Sequence, residues 1–161
     1  MIEKIGFGGG CHWCTEAYFL SLKGVEKVDQ GWINSVAPNH SFSEAVIVYF
    51  DPNIISIKTL ISIHLRIHAS TKKHGFREKY RSAVYVFDEK VEKVQMLITE
   101  NQIDFSERII TQSLPFCQFR LNTEEQLNYY KKHKEGVFCE RYISPKLQMI
   151  KKDFTKHYKQ I

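Results

Sequence analysis

Residues 2–24 read IEKIGFGGGCHWCTEAYFLSLKG, and their pattern sets the architecture. Ile2 to Gly8 reads as a strand, which Gly8-Gly9-Gly10 breaks. A helix is predicted from His12 to about Lys23, with Ala17, Phe19, Leu20 and Leu22 as its apolar face and Gly24 at its C-terminal stop. Working outward, Val25 to Ile33 reads as a second strand and Asn34 to Ser41 as a loop. Ala45 to Phe50 is a β-rich run of the kind found in a central strand, stopped by Asp51-Pro52-Asn53. A helix follows from Ser56 to His68, then a polar, basic loop from Ala69 to Lys79 and a strand from Ser82 to Phe87. A charged amphipathic helix is predicted from Asp88 to about Phe105, and short strands at Ile109–Gln112 and Phe116–Phe119. Asn122 or Thr123 caps a helix from Glu124 to Lys134, and the tail from Glu140 is only weakly helical in pattern. This order predicts an α+β fold: a single domain over residues 1–161 with a ferredoxin-like, split βαβ core, a mixed sheet and a C-terminal extension.

The 161 residues are 43% apolar and 25% charged, as expected of one soluble globular domain. No apolar run approaches the roughly twenty residues of a spanning helix. Met1 to Gly6 lacks the charged start and apolar stretch of a signal peptide, so a cytoplasmic location and no membrane association are expected. The net charge is +5, but the lysines recur in short runs such as Lys72-Lys73 and Lys151-Lys152. Such runs mark solvated helix faces and ends rather than a nucleic-acid surface. A monomer that binds no nucleic acid is the expectation.

Cys11 and Cys14 carry the chemistry. Glycines before Cys11 let the backbone turn sharply and let a substrate come close. At a helix start, Cys11 lies near unpaired backbone N–H groups that favour thiolate over thiol. Cys14 follows one helical turn later, on the same face. A redox dithiol is one reading of this pair; half of a zinc site and two ordinary buried cysteines are the others. Zinc finds little support, because Cys117 and Cys139 do not form a second closely spaced pair. No metal is expected.

Several blocks, in order, resemble the A-type peptide methionine sulfoxide reductases. Gly9-Gly10-Cys11-His12-Trp13-Cys14-Thr15-Glu16 is similar to that family's Gly-Cys-Phe-Trp signature. Ser43-Glu44-Ala45-Val46 with Tyr49-Phe50-Asp51-Pro52, Tyr80-Arg81-Ser82-Ala83-Val84, and Gly136-Val137-Phe138-Cys139 resemble later family segments. The resemblance implies thiol-dependent reduction of methionine S-sulfoxide, free or in oxidised proteins, with no bound cofactor and with a thioredoxin-like external reductant. It implies Cys11 as nucleophile, Glu44 as the acid for the departing oxygen and Tyr80 as its helper. Trp13, His12 and Trp32 would line the substrate pocket. The resulting Cys11 sulfenic acid would be resolved by Cys14 or by Cys139, the latter on a flexible arm, with Cys117 structural. A non-catalytic or redox-sensing relative, and a metal-binding dithiol, are the alternatives.

The chain departs from the family pattern at places that matter. His12 stands where Phe is usual, and Trp32 where Tyr is usual. The loop His74-Gly75-Phe76-Arg77-Glu78-Lys79 lacks the family's Asp, and His68-Ala69-Ser70-Thr71 replaces His-Asp-Pro-Thr.

Overall fold

The computed structural model describes Met1 to Ile161. Strands β1 (Glu3–Gly8), β2 (Val25–Asn34), β3 (Ser43–Phe50), β4 (Ala83–Val86), β5 (Gln112–Pro115) and β6 (Gln118–Leu121) form one sheet in the order β5-β4-β1-β3-β2-β6. Neighbours are antiparallel except β4 and β5, so the sheet is mixed. The helices are α1 (His12–Leu20), α2 (Ile57–Ile67), α3 (Val91–Glu100), α4 (Tyr129–His133) and α5 (Ser144–Asp153). This is the α+β architecture expected, and no helix is long and apolar enough to cross a membrane.

Alternation along the strands divides the core in two. In β3, Val46, Val48 and Phe50 face one side and Ala45 and Ile47 the other, and all are buried. The first set joins Ile5, Phe7 and Val84 with Phe19 of α1, Leu60 of α2, Val94 of α3 and Ile150 of α5. The second set meets Ile33, Tyr85 and Leu114 in a smaller cluster, edged by Phe87 stacked on Phe116 at 4.1 Å. The helices therefore cover one face of the sheet and a thin aromatic layer covers the other. Glu44 shares its parity with Val46, so it belongs to the helix-covered face.

Local competition explains where the elements depart from expectation. The helix expected to reach Lys23 stops at Leu20; the Ser21 hydroxyl donates to the Tyr18 carbonyl at 2.6 Å, and the tail takes over the next backbone groups. The Lys23 N–H bonds the His157 carbonyl and the Lys159 N–H bonds the Ser21 carbonyl. The helix expected over Asp88–Phe105 is shorter and ends in a 3₁₀ turn, Asn101–Asp104. The short strands expected at Ile109–Gln112 and Phe116–Phe119 lie later, because pairing with β4 sets Gln112 opposite Ala83. Of the helix expected from Glu124 to Lys134 only Tyr129–His133 forms. Glu16, buried on α1, accepts the Asn128 and Tyr129 N–H groups at 3.0 and 3.2 Å and starts the helix there. The weakly patterned tail is instead helical: a π-turn at Cys139–Ile143 runs into α5, with Ile143, Leu147 and Ile150 in the core. Cys117, expected to be structural, is exposed between β5 and β6 and packs into nothing.

Contact fixes glycine at Gly31 and Gly9. A Cβ on Gly31 would run into the Arg120 carbonyl of β6, and one on Gly9 (φ +153°) into the His68 ring. His68 belongs to a chain of polar groups behind that turn. His64 Nε2 meets the Gly8 carbonyl at 3.0 Å, His68 Nδ1 the His64 carbonyl at 2.5 Å and His68 Nε2 the Ser82 hydroxyl at 2.8 Å. Burial holds both imidazoles neutral, pushing His64 well below the ordinary histidine value and His68 down to about 4.

These two histidines make the fold acid-labile in a defined window. The unfolded chain takes up protons at its histidines near pH 6.5 while the folded chain does not until about pH 4 for His68. Stability from this source is complete above about pH 6.5 and falls as the pH drops toward about 4. Thermal melts across this range will show a falling midpoint, and His68→Gln will flatten the fall relative to wild type. Gly31→Ala, read in the same melts, will destabilise at every pH because the β2–β6 pair must part.

Candidate active site

Cys11 is the residue before α1. Its carbonyl accepts the Thr15 N–H at 3.1 Å and the Thr15 hydroxyl at 3.0 Å, which seats it at the helix start. The Cys14 thiol donates to the Cys11 sulfur, and the Cys14 and Trp13 backbone N–H groups donate as well. Together these hold Cys11 below the ordinary thiol value, against burial and the nearby Glu44 carboxylate, which both work the other way. The same contact pushes Cys14 up, since it is the partner that keeps its proton, and burial adds to this. The pair thus favours the charge on Cys11 and the proton on Cys14. Both are only partly buried, and a Cβ placed on Gly10 would meet open space, so the sulfur is approachable from that side.

Glu44 comes to this turn from the sheet. It is the second residue of β3, opposite Trp32 of β2, and is 7% exposed. Its Oε1 accepts the His12 backbone N–H at 3.2 Å and lies 3.4 Å from His12 Nε2, while its Oε2 lies 3.6 Å from Lys79 Nζ. The other ring nitrogen, His12 Nδ1, is 2.8 Å from the Gly31 carbonyl. A carbonyl only accepts, so Nδ1 carries hydrogen. In a neutral imidazole Nε2 then has a bare lone pair aimed at a carboxyl oxygen. The Asn122 amide, 3.4 Å from the same Nε2, favours a neutral ring. Burial likewise lowers His12 from its ordinary value.

The expected site residues do not all converge. Cys11, His12, Trp32, Glu44 and the Lys79-Tyr80 corner gather at the α1 N-terminus. His12 and Trp32 meet edge to face with centroids 5.1 Å apart, and Lys79 Nζ lies 5.1 Å over the Tyr80 ring. Tyr80 and Glu44 together hold the Lys79 ammonium above its ordinary value. Trp13 points elsewhere: it stacks on Tyr129 at 4.0 Å, nearly coplanar, and meets Phe138 edge-on at 5.4 Å. Its indole N–H is buried without a partner. Cys139 sits fully buried in the helix-covered core, against which Cys14 packs. The flexible arm expected to carry it is a helical segment, and burial keeps Cys139 a thiol. Lys79, Asn122, Tyr129 and Glu16 escaped the sequence reading. Lys79 adjoins Tyr80 and Glu16 lies within the Cys11 block, but nothing in the sequence ties Asn122 or Tyr129 to the turn. No group of three or more His, Cys, Asp or Glu side chains gathers as a metal site.

Known proteins with this arrangement are consistent. The family model described as peptide methionine sulfoxide reductase matches residues 3–158. The peptide methionine sulfoxide reductase MsrA of Pasteurella multocida is 32% identical over 174 residues, covering 99% of this chain and 100% of that protein. The protein of the same name from Deinococcus radiodurans is 33% identical, covering 92% of this chain and 81% of that one. Among solved structures, reduced Mxr1 from Saccharomyces cerevisiae shares the fold with a TM-score of 0.75 and 22% identity, over 86% of this chain and 89% of that one. Mxr1 solved in complex with Trx2 gives a TM-score of 0.63 at 22% identity, over 78% and 83% of the two chains.

The Cys11–Cys14 hydrogen bond has a direct readout. The pH profile of Cys11 alkylation by iodoacetamide, located by mass spectrometry, will have its midpoint below that of a free thiol. Cys14→Ala removes the donor and will move the midpoint upward. An unmoved midpoint would mean that the helix start alone makes the thiolate.

Proposed function

The chain belongs to the peptide methionine sulfoxide reductase family, and on that premise we propose that it reduces methionine S-sulfoxide to methionine through Cys11. The observation that carries this is a thiolate-favouring Cys11 at a helix start tied to the buried Glu44 carboxyl, on the open side of a glycine turn. The Cys11 thiolate attacks the sulfoxide sulfur while Glu44, as the acid, delivers a proton to the oxygen. The oxygen ends on Cys11 as a sulfenic acid; the substrate sulfur gains two electrons and the Cys11 sulfur loses two. Tyr80 and Lys79 supply further donors for the oxygen, and Trp32 with the His12 ring edge walls the substrate methyl. Trp13 acts from behind, holding Tyr129 and Phe138 against the cysteine helix rather than lining an open pocket.

Cys14 is the resolving thiol in this reading. It already donates to Cys11, and its attack on the sulfenic acid releases water and forms the Cys11–Cys14 disulfide. Buried Cys139 serves second, by exchange with Cys14, and a thioredoxin-like dithiol returns the pair to its reduced form. We also read β4-β1-β3-β2 with α1 and α2 as a split βαβ core of the ferredoxin-like kind, within one domain over residues 1–161; the antiparallel β1–β3 and β2–β3 pairs support this.

Turnover of a methionine-S-sulfoxide peptide with thioredoxin or dithiothreitol tests the reading. Cys11→Ser will abolish turnover, and retained activity would remove Cys11 as nucleophile. Glu44→Gln will lower kcat by about 10²–10⁴-fold, the range for a lost general acid. His12→Phe will shift the acid limb of the kcat profile, whereas a packing role alone would leave that limb in place.

A further inference from the structure

On the far side of the Arg77 loop from Cys11 lies an open polar cleft of about 820 Å³, walled by residues of the 73–82 and 108–112 segments. Four cations line it, Lys73, Arg77, Arg81 and Arg108, against one carboxylate, Glu78. None of these four is in an ion pair: the bridges of the fold engage Lys27, Lys58, Arg66, Lys79, Lys90 and His12 instead. The two inner guanidiniums are held by neutral groups. Arg77 donates to the backbone carbonyls of Lys72, Gly9, Tyr80 and Ala69. Arg81, 8% exposed, donates to the Tyr85 hydroxyl and to the Ser41 carbonyl and hydroxyl. Its Nε and one further N–H remain for a ligand. A guanidinium taken this far out of water is costly without an opposite charge, and a bidentate carboxylate is its best match. Burial already holds Arg77 below its ordinary value, as expected of a cation without an anion.

Position links the cleft to the chemistry. Arg77 bonds the Gly9 carbonyl at 3.0 Å, and Cys11 is two residues on, a span of at most about 7.6 Å between Cα atoms. An extended chain covers about 3.3–3.6 Å per residue, so a side chain about two to four residues from a sulfoxide held at Cys11 reaches the cleft. The depth of Arg81 suits a slender carboxylate side chain better than a nucleic-acid backbone.

We propose that this cleft is a subsite for an acidic residue, Asp or Glu, of the polypeptide that carries the methionine sulfoxide. The inference rests on the reductase reading and names the substrate class: protein-bound sulfoxide with a nearby carboxylate.

The test uses two matched peptides, each with one methionine sulfoxide, differing by Glu or Gln three residues from it on either side. Binding to the full-length Cys11→Ser protein, followed by calorimetry, reads the cleft without turnover. The Glu peptide will bind about tenfold more tightly at low salt, the margin of one charge-assisted contact. The margin will shrink in about 1 M salt, where screening reaches ~3 Å. It will collapse toward one in the Lys73→Gln/Arg108→Gln double variant. Wild-type turnover will carry the preference in KM. Equal binding of the two peptides at low salt would overturn the subsite even if both are reduced. Absence of turnover with a retained Glu preference would overturn the reductase reading and leave the subsite standing. Displacement of the Glu peptide by succinate at the peptide's own concentration would reassign the cleft to free anions. Displacement by a DNA duplex at lower phosphate concentration than the peptide's would reassign it to nucleic acid. Either result overturns the proposal.

Discussion

The first turn of α1 is tied to the sheet by one carboxyl. Glu44 accepts the His12 N–H, while the His12 ring reaches across to the Gly31 carbonyl on the neighbouring strand. Through this junction the helix start, the ends of β2 and β3 and the 79–80 corner share one place. Shifting β3 by a single residue would turn Glu44 to the other face of the sheet, away from α1. Packing opposes that slip, because it would move Val46, Val48 and Phe50 from the helix-covered core to the smaller cluster and put Ala45 and Ile47 in their place. Hydrophobic burial on both faces thus sets the register, and the register brings Glu44 to the start of α1.

The same helix start sets the two cysteines apart. Helix geometry puts Cys14 one turn behind Cys11, where its thiol and the backbone N–H groups of the first turn converge on the Cys11 sulfur. Deeper in, Glu16 lies one turn beyond His12 and anchors the start of α4, which lays Tyr129 on Trp13. One short helix and its N-terminal residue therefore carry both cysteines and the hook for the C-terminal segment. That segment closes over α1 and buries Cys139 in the core against which Cys14 packs.

Replacement of Phe by His at position 12 alters the proton chemistry of the site more than its shape. The ring still packs edge-on against Trp32, as an aromatic would. Its second nitrogen, however, faces the acid, and with Lys79 on the other oxygen the carboxyl is held from two sides. The loop that lacks the family's Asp is not an empty substitution either. It contributes Arg77, which braces the Gly9 carbonyl, and opens onto a cationic cleft.

Sequence alone determined the strand–turn–helix that presents Cys11, the central strand that bears Glu44, and the α+β order of the first four strands and two helices. These rest on local periods and on glycine turns, which act over a few residues and leave a direct trace in the chain. It did not determine the C-terminal third. The helix at Glu124 is cut short by a carboxylate 112 positions away, and the tail is helical because α1 supplies its partner. It also placed Trp13 and His12 together in one pocket, whereas the indole turns to Tyr129 and the imidazole to Glu44. Such partners meet only when the sheet and the C-terminal segment close on opposite sides of α1. The pairing of His12 with Glu44, the order of the cysteines and the unbalanced charge of the cleft are therefore properties of the tertiary structure. Each depends on which distant charges and dipoles are excluded from water together, and a linear pattern carries no record of that.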